Sequence, residues 1–230
     1  MKKNVLIIGG TSGVGKELAK HYVSKGHNVC VTGRKDPGLE GAIYAKLAIT
    51  DDSDALASSI DRMLREFENI HTLIYAAGFL QWGSIDQLSD HDLRTMTNVG
   101  LLAPMMLIQR LKQSAPAPLK VILITSSSQY TPREFEPAYC ATKAGLGMLG
   151  ASVAQDPGIG KVLVAASSGI KNPFWEGTGT DISTMLDPVW VAQQIVDLSG
   201  GVFKYKYAKL LRSPARTEVV ECLGGDLASV

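Results

Sequence analysis

This chain has little cysteine, almost no net charge and no long apolar run, and each shortage excludes something. Three cysteines in 230 residues, Cys30, Cys140 and Cys222, are odd in number and far apart. They build neither a disulfide framework nor a zinc site, and they fit a reducing, cytoplasmic setting. A net charge of +1 gives no electrostatic basis for a nucleic-acid or membrane partner. No apolar run reaches the roughly 18 residues that read as a bilayer span. The short apolar run after Met1-Lys2-Lys3-Asn4 is broken by the glycines of Gly9 to Gly15, which predicts a strand and not a signal peptide. Repeats, low-complexity tracts and linkers are also missing. What remains is 45% hydrophobic and 20% charged, the make-up of an ordinary globular chain long enough for a sizeable core.

Short apolar runs alternate with segments of helical period, the pattern of βαβ units around a parallel sheet. Strands are expected at 5–8, 28–32, 42–47, 72–76, 121–125 and 161–166, with a last one at 207–211. Helices are expected at 16–25, from the cap-forming Thr50-Asp51-Asp52-Ser53 to about 67, across 90–113 in one or two pieces, at 138–154 and at 188–199. Pro104 is placed to begin a turn or kink. The connection from Thr32 to Ala42 is too short for the usual crossover helix, so that helix is missing or reduced to a turn. The sequence therefore predicts one α/β domain over 1–230, a Rossmann-type doubly wound parallel sheet.

Two motifs carry chemistry. The first strand runs into Gly9-Gly10-Thr11-Ser12-Gly13-Val14-Gly15, with Gly9, Gly13 and Gly15 in a Gly-x-x-x-Gly-x-Gly spacing before a helix. Glycines there permit a tight turn and let backbone and helix start approach a pyrophosphate, which the helix amides and dipole favour. Far downstream, Tyr139 and Lys143 stand four apart in Tyr139-Cys140-Ala141-Thr142-Lys143, so a helix puts phenol and ammonium on one face. A neighbouring cation would lower the phenol pKa from about 10 toward working pH and make it a usable acid and base. Alone, such a pair also describes a packed helix face; the glycine loop upstream tips the balance. Cys140, beside the tyrosine, points elsewhere on the helix.

The second strand ends in Val31-Thr32-Gly33-Arg34-Lys35. An acidic residue at such a tip would bind the adenosine ribose hydroxyls and repel a 2′-phosphate. None is there, and Asp36 follows a little later. Arg34 offers a planar donor fork suited to phosphate. NADP(H) is the preferred cofactor on this reading, with NAD(H) possible.

With the loop and the Tyr139/Lys143 pair together, the chain resembles the short-chain dehydrogenase/reductase family over residues 1 to about 200. The resemblance implies that Tyr139 is the acid/base and Lys143 the lysine that lowers its pKa and binds the nicotinamide ribose. Ser126, in Ile124-Thr125-Ser126-Ser127-Ser128, matches the serine that binds the carbonyl oxygen, with Ser127 a close rival in register. Asn98, in Thr97-Asn98-Val99-Gly100, matches the asparagine of a water-borne proton relay. For the cofactor, it implies contacts from Gly9, Thr11, Ser12, Gly13, Val14, Gly15, Arg34, Ile49, Ala77, Gly78, Tyr139, Lys143, Gly169 and Ile170, and no metal. The family's Asn-Asn-Ala-Gly reads Tyr75-Ala76-Ala77-Gly78 here, its aspartate near the adenine is Ala48, its Pro-Gly is Ser168-Gly169, and the threonine that follows is Asn172.

The activity implied is hydride transfer between a nicotinamide cofactor and a small carbonyl or alcohol, most simply as a carbonyl reductase. Candidate pocket segments are Phe79 to Trp82, Gln129 to Pro137, and Pro173-Phe174-Trp175-Glu176. The stretch from Asn172 to Leu186, with Gly177 and Gly179, is expected to form a substrate lid near 170–187. Arg133, flanked by Glu134 and Glu136, reads better as a solvated loop residue than as an anchor for an acidic substrate. A homodimer or homotetramer is expected on helices near 90–113 and 139–154, where Gly145, Gly147, Gly150 and Ala151 allow close approach. A non-catalytic NADP(H)-binding sensor on the same fold is the alternative. A sugar-nucleotide epimerase would require different glycine spacing and a larger C-terminal region.

Overall fold

The computed structural model describes residues 2–172, 175 and 179–225. Seven strands run parallel: β1 (Asn4–Ile8), β2 (Asn28–Gly33), β3 (Ala42–Lys46), β4 (Thr72–Tyr75), β5 (Leu119–Ser126), β6 (Ile159–Ser167) and β7 (Tyr205–Arg212). An eighth, β8 (Ala215–Leu223), lies antiparallel along β7. The order is β3-β2-β1-β4-β5-β6-β7-β8 in one sheet. The inner strands are apolar on both faces because helices cover both, as parallel sheets require. Leu6 and Ile8 of β1 point to one side, where α2 (Ser53–Glu66), α4 (Ala103–Ser114) and α5 (Pro137–Val153) contribute Leu56, Ile60, Leu107, Leu111 and Leu146. Val5 and Ile7 point to the other, where α1 (Gly13–Ser24) and α6 (Pro188–Leu198) contribute Leu18, Val191 and Ile195. The period of two along the strand thus feeds two cores, and the doubly wound expectation holds.

The expected missing crossover is real: residues 34–41 connect β2 to β3 without a helix. The segment expected as one or two helices over 90–113 is three pieces. α3 (Asp90–Thr97), capped reciprocally by Ser89 and Asp92, gives way to a π-helical turn at Asn98–Leu102 before α4 begins. The break thus comes ahead of Pro104, which sits in the first turn of α4. Proline has no N–H for the carbonyl four residues back and crowds it. The turn before it widens, and Ala103 N–H bonds Asn98 O instead.

β8 was not anticipated. Its polar, half-exposed sequence carries Arg216, Glu218 and Glu221 on a strand that has one partner only. A register shift opposite Tyr207/Ala208 leaves Val220 and Glu221 both exposed, so the alternation that announces a strand is interrupted. The small residues expected at a subunit contact are partly used inside the chain. A Cβ at Gly147 would fall 2.4 Å from the Gln129 side chain, and one at Gly150 2.4 Å from Val164.

Candidate active site

The C-terminal ends of the parallel strands all open on one edge, and the strand order reverses between β1 and β4. That reversal creates the crevice in which open α/β sheets bind ligands. The glycine loop lies on one wall of it. Gly9 has φ +79°, and a Cβ there would lie 2.7 Å from the Ala77 nitrogen, so loop and β4 tip meet at van der Waals distance. A Cβ at Gly15 would strike the Gly9 carbonyl at 2.2 Å. Two glycines outside the expected set matter equally: Gly10, tight against Val31, and Gly33, whose Cβ would overlap Thr11 Oγ1. Their signal in sequence was only the type of residue; the close contact is made by the fold.

The start of α1 is built for an anion. Helices α2, α3 and α6 have side-chain caps, from Asp52, Ser89 and Asp187, while α1, α4 and α5 have none, and of these three only α1 follows the glycine loop. At α1 the cap residue Ser12 makes no side-chain bond and the first turn holds no acid. The amides of Gly13, Val14 and Gly15 therefore lack an intrahelical acceptor and face the crevice edge with the positive end of the dipole. This arrangement fits a pyrophosphate. Arg34 is exposed just past β2 and forms no ion pair among the described residues. Ile49 is half-buried against the core beyond β3, while Ala77 and Gly78 extend β4. Gly169 packs under Met185, and Ile170 is bridged to Leu186, so the two ends of 170–186 are tied together. The Asn172 side chain lies against Gly13 (3.2 Å from its Cβ position), which brings the 168–172 segment across the loop. Trp175 Nε1 donates to the Ile170 carbonyl at 2.9 Å. Pro173, Phe174, Glu176 and Gly177, expected in the pocket and lid, lie outside the described residues. Among the described residues no group of three or more metal-ligating side chains is present.

β5 and α5 place the reactive groups. The Ser126 hydroxyl, at the tip of β5, hydrogen-bonds the Tyr139 phenol. Ser127 is turned away and accepts from Arg133 Nη2 at 2.9 Å. Of the two rival serines, the fold thus brings Ser126 to the tyrosine. Lys143 is buried, with Nζ 3.3 Å from the Ile124 carbonyl and 5.4 Å from the centre of the Tyr139 ring. The phenol is not acidified as the helix spacing leads one to expect. Burial pushes the Tyr139 pKa up, against the Ser126 hydrogen bond that lowers it; Glu136 and Cys140 add to the rise and Arg133 opposes it. Burial likewise pushes Lys143 down to about 8. Desolvation is the largest influence on each group, with Lys143 buried and Tyr139 half-buried.

Asn98 is buried at the start of the π turn, its Nδ2 donating to the Thr50 carbonyl at 2.8 Å. This bond ties the turn to the loop after β3. Tyr75, where the family has asparagine, is fully buried, and its phenol donates to the Val99 carbonyl in the same turn. Arg133 is the exposed loop residue expected, and it also bonds Ser127 and Ser128 and faces Glu136. An apolar groove lined by Ile85, Leu93, Leu101, Ala138 and Ala141 lies on a different flank of α5 from Tyr139 and Lys143.

Comparison with known proteins agrees with this geometry. The family model for short chain dehydrogenases matches residues 3–170. The chain is 29% identical over 240 residues to 2,3-dihydro-2,3-dihydroxybenzoate dehydrogenase of Escherichia coli K12, spanning 99% of this chain and 91% of that protein. It is 24% identical to the 3-oxoacyl-[acyl-carrier-protein] reductase MabA of Mycobacterium tuberculosis H37Rv, over 100% of this chain and 88% of that one. The crystal structure of BdcA in complex with NADPH superposes with a TM-score of 0.78 at 22% identity, over 94% and 96% of the two chains. A short chain dehydrogenase from Burkholderia cenocepacia J2315 in complex with NADP gives a TM-score of 0.71 at 21% identity, over 86% and 90%. The matched span runs from β1 through the glycine loop and the tyrosine–lysine helix to the end of β6, and on that basis this chain is an oxidoreductase that belongs to the short-chain dehydrogenase/reductase family.

Proposed function

We propose that the chain is an NADP(H)-dependent carbonyl reductase acting on a small ketone or aldehyde. The observation that carries the reading is the meeting of Ser126, Tyr139 and Lys143 at the crevice edge, across from a helix start whose amides no side chain caps. Gly9 to Gly15 would cradle the pyrophosphate, Arg34 the 2′-phosphate, and Ile49, Ala77 and Gly78 would line the adenosine side. Gly169 and Ile170 would border the nicotinamide end, with 170–187 as the lid of one domain over 1–230. Bound NADPH supplies a hydride to the carbonyl carbon. The remaining work belongs to this chain. Ser126, whose hydroxyl otherwise donates to Ser128 Oγ, turns its one hydrogen to the carbonyl oxygen and orients it. Tyr139 gives its proton to that oxygen as charge develops there. Lys143 binds ribose hydroxyls and, as a cation, favours the phenolate that Tyr139 becomes. Asn98, held by its bond to the Thr50 carbonyl, would resupply the proton through water.

Two kinds of support favour NADP(H): Arg34 just past β2, which has no ion pair among the described residues, and the NADPH and NADP bound by two proteins of the same fold. A homodimer would cover the apolar groove beside α3 and α5 together with Met105 and Met148, which are exposed on α4 and α5. The test is NADPH oxidation by the purified protein against a panel of small ketones and aldehydes. Turnover that Tyr139→Phe abolishes supports the reading. Tight NADPH binding with no turnover across the panel would replace it with a binding role.

A further inference from the structure

Hydrogen bonds lead from Tyr139 to two charged side chains that the scheme above leaves unused. Ser126 meets the Tyr139 phenol on one side. On the other, Ser126 Oγ accepts the Ser128 amide at 3.1 Å and lies 3.2 Å from Ser128 Oγ. The Ser128 hydroxyl is buried and donates to Glu136 Oε2 at 2.9 Å. Arg133 closes the set, its Nε donating to Ser128 Oγ at 3.3 Å and lying 3.6 Å from Glu136 Oε2, and its Nη2 donating to Ser127. The Glu136 side chain is only 13% exposed while that of Arg133 is 42% exposed, so solvent screens the pair from the arginine side.

Donor and acceptor roles follow from charge. An ionised carboxylate only accepts, so the one hydrogen of Ser128 is committed to Glu136. The lone pairs of Ser128 Oγ then face Arg133 and the Ser126 hydroxyl. Ser128 is locked in one orientation, and its amide and oxygen fix where Ser126 sits at the end of β5. Glu136 is also the N-cap residue of α5, three positions before Tyr139, near enough for its charge to act on the phenol. The groups facing Tyr139 are Glu136, Cys140 and Lys143 from α5, Ser126 from the β5 tip, and Arg133 from the loop between. Glu136 disfavours a phenolate there and Arg133 favours one.

We propose that Glu136 and Arg133 act as a positioning pair: through Ser128 they hold the Ser126 hydroxyl against Tyr139, and their opposed charges balance beside the phenol. This rests on the reductase reading of Ser126 and Tyr139. The two functions of the pair separate by mutation. Glu136→Asp keeps the charge but draws the carboxylate back from Ser128, so it lowers kcat and leaves the pH profile in place. Glu136→Gln removes the charge, and Arg133→Gln removes the opposite one.

The experiment is the pH profile of kcat for wild type, Glu136→Gln, Arg133→Gln and the double variant, with the NADPH Kd measured for each. The limb that reports Tyr139 is expected to move to lower pH in Glu136→Gln and to higher pH in Arg133→Gln, by about half a unit or more. The double variant returns it near wild type, and cofactor Kd stays within about twofold throughout. Movement in the same direction in both single variants, or in neither, overturns the proposal. Tyrosinate difference absorbance, each variant against its Tyr139→Phe counterpart, reads the phenol without turnover. Opposite shifts there with no carbonyl reduced by wild type would keep the pair and discard the reductase reading. No shift there in a protein that does turn over would do the reverse.

Discussion

The Lys143 ammonium lies 5.4 Å from the centre of the Tyr139 ring and donates to the Ile124 carbonyl. Lys143 is buried and Tyr139 half-buried one helical turn away, and each is pushed toward its neutral form by loss of water.

Tyr139→Phe removes the proton donor and leaves the ring that fills the space. Turnover is expected to fall about 10²-fold or more, the usual worth of a positioned general acid. NADPH affinity should change less than about twofold, since the glycine loop and helix start carry the phosphate contacts. Steady-state kinetics and a cofactor titration on the same preparation read both.

Lys143 costs the fold stability for the sake of the site. Its pKa is about 8 in the folded chain against an ordinary 10.5, and Lys120 is pushed to about 8 by burial, then by Lys161 and Lys3. Between these values the unfolded chain holds protons that the folded chain has released. Stability from these two groups therefore rises with pH from about 8 toward 10.5. Lys143→Met is expected to melt above wild type at neutral pH, with the gap narrowing as pH climbs through that window. It should also lose cofactor affinity. A constant gap across the melts would contradict the burial account.

Gly9 and Gly26 share a positive φ, +79° and +78°, but differ in surroundings. Around Gly26 a Cβ would meet nothing within 4 Å, whereas at Gly9 it would press on Ala77. Gly26→Ala should cost only the backbone strain, about 1 kcal/mol, and leave NADPH binding intact. Gly9→Ala should cost more, about 2 kcal/mol or above, and abolish binding. Urea melts and cofactor titrations of the pair make the comparison.

Tyr75→Phe deletes one buried donor without making a cavity. The Val99 carbonyl then loses its partner inside the π turn, at a cost of about 1–3 kcal/mol. Because Asn98 begins that turn, kcat is expected to drop with KM unchanged. Equal denaturation midpoints for the two proteins would show the bond to be idle.

Much of this was legible in the sequence, and the failures have physical causes. Strands β1, β2, β4, β5 and β6 announced themselves as apolar runs because both faces are covered, whereas the edge strand β3 was read from its short apolar run alone. The glycine loop and the Tyr139/Lys143 spacing were readable because each is local. β8 was hidden by its charged residues and its interrupted alternation. The π turn depends on Pro104 together with a phenol from β4, and the Arg133–Glu136 set depends on residues drawn together around Ser128, so neither shows in a local pattern. Tyr139 acidity was misjudged because spacing on a helix says nothing of how deeply the pair is buried.

The most direct test of NADP(H)-dependent chemistry at this crevice is a fluorescence titration of the protein and its Arg34→Ala variant with NADPH and with NADH. The account predicts NADPH binding at least tenfold tighter than NADH (about 1.4 kcal/mol), with the difference removed in Arg34→Ala and NADH binding unchanged. Tight binding of NADH alone would contradict the Arg34 assignment, and binding of neither would contradict the function proposed for the whole site.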